Sequence, residues 1–319
     1  MLGAGAAVAS SAIGAKPIGL GVVTDALTSF DAANDDHLIV RELRVPRTLL
    51  ALLVGGALGL AGAVMQGVTR NPLADPGLLG VNAGAALAVV TSIYVIGVGS
   101  VLGTAWFALG GAAVAGLTVY VLGSAGRGGA TPVKLAIAGA AVSALMASLT
   151  SAMLLLDSAT LDQYRFWAVG SVAGRDMEVV AALAPFVLVG SLLALGSCRA
   201  LDSMALGEDA ARGLGQRVGL VRAIAAASVV LLCGASTAAA GPIWFVGLVV
   251  PHAARSLAGP AHRWLLPYSL LLGAALLTIA DTVGRMVVRP GELEVGVVTA
   301  FLGAPVFIAF VRRRRIAEL

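Results

Sequence analysis

Seven stretches of this chain contain no Asp, Glu, Lys or Arg: residues 48–69, 77–126, 135–156, 179–198, 223–254, 264–280 and 295–311. A helix crosses about 30 Å of hydrocarbon with roughly 20 apolar residues, and a run this long without charge is hard to place anywhere but in a bilayer. The second window is long enough for two spans with a turn near Gly97–Gly103. The fifth holds two if the helix breaks at Gly241-Pro242, because proline removes a backbone donor and clashes with the preceding turn. Nine spans follow. Composition agrees, with 59% of 319 residues hydrophobic, 12% charged and a mean hydropathy of +0.95, far from ordinary soluble domains. The expectation is an all-α, polytopic membrane bundle forming a single domain over residues 1–319.

Residues 1–15 are also apolar, but at about 1.5 Å per residue they rise only about 22 Å before Lys16. They lack the basic leader and bounded apolar core of a signal peptide. They are expected to be a shortened first span, which brings the count to about ten.

With the loops alternated from there, one side of the membrane collects 13 of the 21 Lys and Arg: Arg70, the 127–134 loop, the 199–222 loop, Arg255 to Arg263 and the C-terminal "RRRR". The other side keeps 8, with 12 of the 17 acids. Basic loops remain in the cytoplasm, so the first side faces inward. Reading 223–254 as one span would split the basic segments between the two sides, which favours the break at Pro242. The pI near 9.5 then reflects loops facing anionic lipid, with no need for nucleic acid.

The spans are rich in small residues. Gly55 and Gly59 form a GxxxG pair, extended by Gly56, Gly62 and Ala63, which suits close backbone approach between helices. Ion-coupled carriers need ionisable groups at membrane depth, yet the windows offer only Gln66, Asn82 and scattered Ser and Thr. An internal ATPase has no phosphate loop, since Lys16 and Lys134 are the only lysines and neither closes GxxxxGK[ST]. "GLGQRVG" at 213–219 has the wrong spacing for a nucleotide turn and reads as a loop. His37, His252 and His262 form no metal-binding pattern. Cys198 and Cys233 lie in or beside spans without CxxC spacing and read as packing residues. Energy for any transport is therefore expected from outside the chain.

Three polar segments remain. "RNPLADPGLL" at 70–79 reads as a tight inner turn, with Asn71 capping, Pro72 suited to a first helical position and Pro76 starting the next helix. "RALDSMALGEDAARGLGQRVGLVR" at 199–222 reads as two short helices joined by Gly207, with Asp202 as an N-cap. It fits either an ordinary amphipathic connector or a surface helix that meets a partner. On the outer side "RELRVPRTLL" is expected to open a helix at about Pro46, leaving Arg44 and Arg47 at the positive end of a helix dipole. Either they snorkel to lipid phosphates or they receive an anionic partner. Arg285 reaches the same face, where Asp281, four residues earlier, could satisfy it.

Together, "RVPRTLLALLVGGALGLAGAVMQGVTRNPLADPGLLGVNAGA" at 44–85, "GPIWFVGLVVPHAARSLAGPAHRWLLP" at 241–267 and "ADTVGRMVVRPGELEVGVVTAFLGAPVF" at 280–307 resemble the FecCD-type permease family. These are the membrane subunits of type II ABC importers for iron-siderophore, haem and cobalamin. The resemblance runs from about residue 17 to the C-terminus. Glu294 stands where the family commonly has Pro.

The resemblance implies ten helices per subunit in the type II ABC importer permease fold and a second permease subunit, identical or different. It also implies two cytoplasmic ABC ATPases, which carry ATP and Mg, and an extracytoplasmic binding protein. No cofactor is then bound by this chain, which is no enzyme and sits in the cytoplasmic membrane of a bacterium. Arg44, Arg47 and Arg285 match the family arginines that receive acidic side chains of the binding protein. The 199–222 loop matches the element that meets the ATPase, with Ala205, Leu206 and Gly207 at its centre and Glu208 and Gly215 beside them. Residues 135–156 and 296–312 are implied to line the pathway, with Thr131, Pro132 and Val133 near an inner gate. Iron-siderophore leads among the family's cargoes, with haem and cobalamin behind it. The rival readings are an ion-coupled secondary carrier and an intramembrane enzyme.

Overall fold

The structure is a computed structural model that describes residues 5–7, 10, 16, 18–126, 130–288 and 291–313, without the side chains of residues 310, 311 and 313. The expected first span therefore lies almost wholly outside the described residues, as does half of "RRRR". Helices and their connections account for all described structure, and no strand occurs among these residues.

After a short α1 (Leu20–Thr28), α2 runs without interruption from Asp35 to Thr69, with a π-helical turn at Ile39–Arg44. This corrects the expected start at Pro46. Asn34 caps the helix by accepting from the Asp36 N–H, and the wide turn just ahead of Pro46 accommodates a residue that cannot donate to the ladder. Arg44 and Arg47 consequently sit inside a continuous helix, away from any positive dipole end.

The "RNPLADPGLL" turn behaves largely as expected. Arg70 takes the left-handed conformation, Asn71 accepts from the Leu73 N–H, and Asp75 caps a 3-10 turn over Pro76–Leu79. Pro72 lies in a turn rather than a helix, and Pro76 opens only the 3-10 turn. The next long helix, α3 (Val81–Ile96), begins after Gly80. A turn at residues 97–100 leads to α4 (Val101–Ser124), so the 77–126 window does hold two helices. Then come α5 (Pro132–Leu156), a short α6 (Ser158–Ala168) that no charge-free window announced, and α7 (Met177–Gly196).

The 199–222 loop folds as α8 (Cys198–Ala205) and α9 (Glu208–Gly213), the two short helices expected, hinged at Gly207. With φ at 107°, Gly207 occupies backbone space that L side chains avoid. Gly215 closes α9: its N–H donates to Arg212 and that of Gln216 to Ala211, a Schellman motif with glycine in the left-handed position. Asp202 is not the N-cap of this loop. It lies inside α8 and caps a different helix, described below.

The 223–254 window breaks where proline demands it, but not into two full spans. α10 (Val218–Ala240) ends at Gly241, residues 241–245 run non-helically, and α11 (Val246–Ala258) has only 13 residues. At about 1.5 Å each, these cover about 20 Å, short of a crossing. The start of the non-helical segment is packed against protein, where irregular backbone is tolerated: the Ser171 N–H donates to Ala240, and Gly241 lies against Trp167 and Gly170. α12 (His262–Val287) and α13 (Val295–Arg313) complete the chain.

The bundle is centred on α2, whose small face meets α12 most extensively. A Cβ on Gly55 would strike the Gly273 carbonyl and lie 2.6 Å from the Leu277 Cβ. Gly59 abuts Ser269, and Gly62 abuts Gly247 of α11. The stripe of small residues therefore seats two helices at backbone contact, where dispersion and close packing do the work that hydrophobic burial does in water. Nearly all of α2 from Val54 to Val68 is buried, whereas α5 is largely exposed.

Candidate functional site

Two polar regions lie at opposite ends of the α2–α12 pair. At the end expected to face outward, α2 contributes Arg44 and Arg47, and α12 contributes Asp281 and Arg285. Asp281 is 1% exposed and accepts from Arg47 Nε at 3.1 Å and Nη2 at 2.8 Å. Arg285 Nη2 reaches its second oxygen at 3.2 Å, the i,i+4 pairing anticipated from sequence. Arg47 also bonds Glu292 at 2.7 Å, Arg285 donates to Ser10, and Arg44 donates to the Lys16 carbonyl. Charges taken out of water persist only when paired in this way.

All three arginines expected to receive a partner are thus brought together, but they are recessed. Arg44 and Arg285 are 6% and 5% exposed. They line a cavity of about 570 Å³ together with Lys16, Glu42, Arg175 and Glu292. Arg175, which the sequence did not single out, donates through Nε to the Ala239 carbonyl at 2.9 Å. Burial lowers its guanidinium pKa, against the opposing pull of Asp176. Its position depends on the turn before α7 folding against the end of α10, a contact that no local pattern reveals.

At the end expected to face inward, Leu206 is 69% exposed and Gly207 forms the hinge beside it. Glu208 binds Arg212 at 3.1 Å and also Arg222, which is buried at the foot of α10. A Cβ on Gly207 would lie 3.9 Å from Arg70 Nη1, so the "RNPLADPGLL" turn and the 199–222 loop meet. Ala205, Leu206, Gly207, Glu208 and Gly215 form one surface feature. Thr131 and Pro132 stand beside Lys134 as N-cap and first residue of α5: Thr131 Oγ1 accepts from the Lys134 N–H at 3.3 Å. Val133 is 68% exposed.

Between these ends, a cavity of about 480 Å³ is bounded by Asp75, Asn82, Ser143, Trp244, Phe245 and Phe307. It touches α5 and α13, the helices expected along the pathway. Burial pushes the Asp75 carboxyl above the usual carboxylate range, partly offset by the Gly77 N–H. Phe245 holds a left-handed backbone conformation, with φ at 69°, and its ring lies 6.5 Å from that of Phe307. The arrangement offers an apolar wall with few polar groups and no nucleophile–base pair among the described residues.

The sequence profile of the FecCD transport family matches residues 2–313. The chain is 48% identical to the ferric enterobactin transport system permease protein FepD of Escherichia coli (strain K12), over 95% of this chain and 90% of that one. It is 41% identical to the probable siderophore transport system permease protein YfiZ of Bacillus subtilis (strain 168), over 91% and 87%. Among solved structures, a metal-chelate type ABC transporter in an inward-facing conformation superimposes with a TM-score of 0.85 at 28% identity, covering 98% of this chain and 96% of that one.

Proposed function

Because this chain belongs to the FecCD transport family, we propose that it is the membrane permease subunit of an ATP-binding cassette importer that carries a ferric siderophore into the cytoplasm. The observation that carries this reading is the 48% identity to a ferric enterobactin permease over 95% of the chain. The chain performs no covalent chemistry. It pairs with a second permease subunit in the cytoplasmic membrane, and two cytoplasmic ATPases supply the energy.

A loaded binding protein docks at the outer cavity. Since Arg44 and Arg285 are recessed, its acidic side chains must enter the cavity to reach them. The α8–α9 hinge, with Leu206 outward, engages the ATPase, and its movement opens the pathway at the Thr131–Val133 end of α5. The largely apolar cavity between α5 and α13 suits a bulky chelate that must pass without being held tightly.

Docking is tested by titrating the cognate binding protein against the assembled importer. Arg44→Gln should weaken binding by roughly tenfold and flatten its salt dependence, the signature of a lost charge contact. Unchanged affinity and salt slope would reject the docking role.

A further inference from the structure

The α8–α9 pair is attached to the membrane helices by apolar contacts, by the Glu208–Arg222 ion pair between α9 and α10, and by Asp202 of α8. Leu201 and Met204, at 0% and 2% exposure, bury α8 through apolar contacts, which are non-directional and permit sliding. Asp202 does something else. One oxygen, Oδ1, accepts both the backbone N–H of His262 at 2.9 Å and its ring Nδ1 at 2.7 Å. A carboxylate only accepts, so the ring donates.

His262 is the first residue of α12, and Asp202 therefore caps that helix from another element, across 60 residues of sequence. The residue is 5% exposed, and its Nε2 is buried without a hydrogen-bond partner among the described residues. It lies against α2: a Cβ on Gly67 would be 2.6 Å from that nitrogen. Cys198 Sγ, one turn earlier in α8, donates to the His262 carbonyl at 3.6 Å. A single imidazole is thus fixed among α8, α12 and α2.

We propose that Asp202 and His262 form the joint that passes movement of the α8–α9 pair to α12 and, through the ring's contact with Gly67, to α2. This rests on the reading of α8–α9 as the ATPase contact. Two charge-assisted hydrogen bonds to one oxygen define distance and rotation together, so α8 cannot turn without pulling the end of α12. Asp202 and His262 are positioning residues and touch no cargo.

The test uses the complete importer in proteoliposomes, with its ATPase and binding protein, and reads chelate transported per ATP hydrolysed. Asp202→Ala is read against its own rate of ATP hydrolysis, so that a change in ATPase contact alone does not move the ratio. The substitution should lower transport per ATP by roughly tenfold, the factor expected for losing a charge-assisted hydrogen bond. Asp202→Asn keeps an acceptor for the His262 N–H and should restore most of the ratio. Gly67→Ala pushes on the Nε2 edge of the ring while leaving both hydrogen-bonding partners, Asp202 and the His262 Nδ1 side, chemically intact, and should lower the ratio as Asp202→Ala does; it carries the test if Asp202→Ala fails to reach the membrane.

An unchanged ratio in Asp202→Ala or Gly67→Ala would overturn the joint. Hydrolysis, transport and membrane level all falling in proportion would also overturn it, in favour of simple helix capping. Failure of the wild-type chain to bind the ATPase would instead remove the coupling reading, and the joint with it.

Discussion

Asp281 shows how one residue can hold a region together. It is almost fully buried between Arg47 and Arg285, and its removal leaves two guanidinium groups short of their counter-charge. Asp281→Ala is expected to destabilise the chain by about 3–5 kcal/mol, the usual cost of breaking a buried ion pair from one side. Thermal unfolding in detergent would show it as a lowered midpoint. Arg47→Glu would set a carboxylate against Asp281 and should unfold the outer end as well as affect docking, so a neutral change at Arg44 isolates docking better. The sequence made the arginines visible, and even the Asp281–Arg285 spacing. It could not show that Arg47 meets a carboxylate 234 residues away, because that contact exists only once α2 and α12 lie side by side. The 264–280 window ended one residue short of Asp281, which made the spans look free of ionisable groups.

Among the elements, the α2–α12 crossing is the most demanding sterically. Gly55→Ala would drive a methyl group into the Gly273 carbonyl and should cost about 1–3 kcal/mol or more as the helices are forced apart. Gly110, on the exposed side of α4, has no other described element within 4 Å of the point a Cβ would occupy. Gly110→Ala should be neutral or gain up to about 1 kcal/mol from helix propensity. Equal loss at both positions in thermal unfolding would contradict the close-packing role. The GxxxG stripe was legible because it repeats on one helix face. The π turn was not, since Pro46 read as the start of a helix that already exists upstream. The half-length α11 was hidden for a related reason: absence of charge reports burial in protein as well as in lipid, and Gly241 and Ile243 are buried against the end of α6 and the turn that follows it.

Across the whole molecule, charge asymmetry and the charge-free windows sufficed to place the basic loops together, and the contacts of Arg70 with the Gly207 hinge and of Asp202 with His262 bring three of those loops to one end. Cargo and partners lay beyond such patterns, because an apolar conduit records little of what passes through it. They became accessible through the three ordered motifs and the family to which they belong. The central claim is that the polypeptide draws both cargo and energy from proteins attached at its two faces. The most direct measurement is accumulation of radiolabelled ferric siderophore in proteoliposomes carrying the permease pair, with the binding protein outside and the ATPase either present or omitted. Uphill accumulation only when the ATPase and ATP are both present is the predicted result. Accumulation driven by a proton or sodium gradient with the ATPase omitted would contradict it.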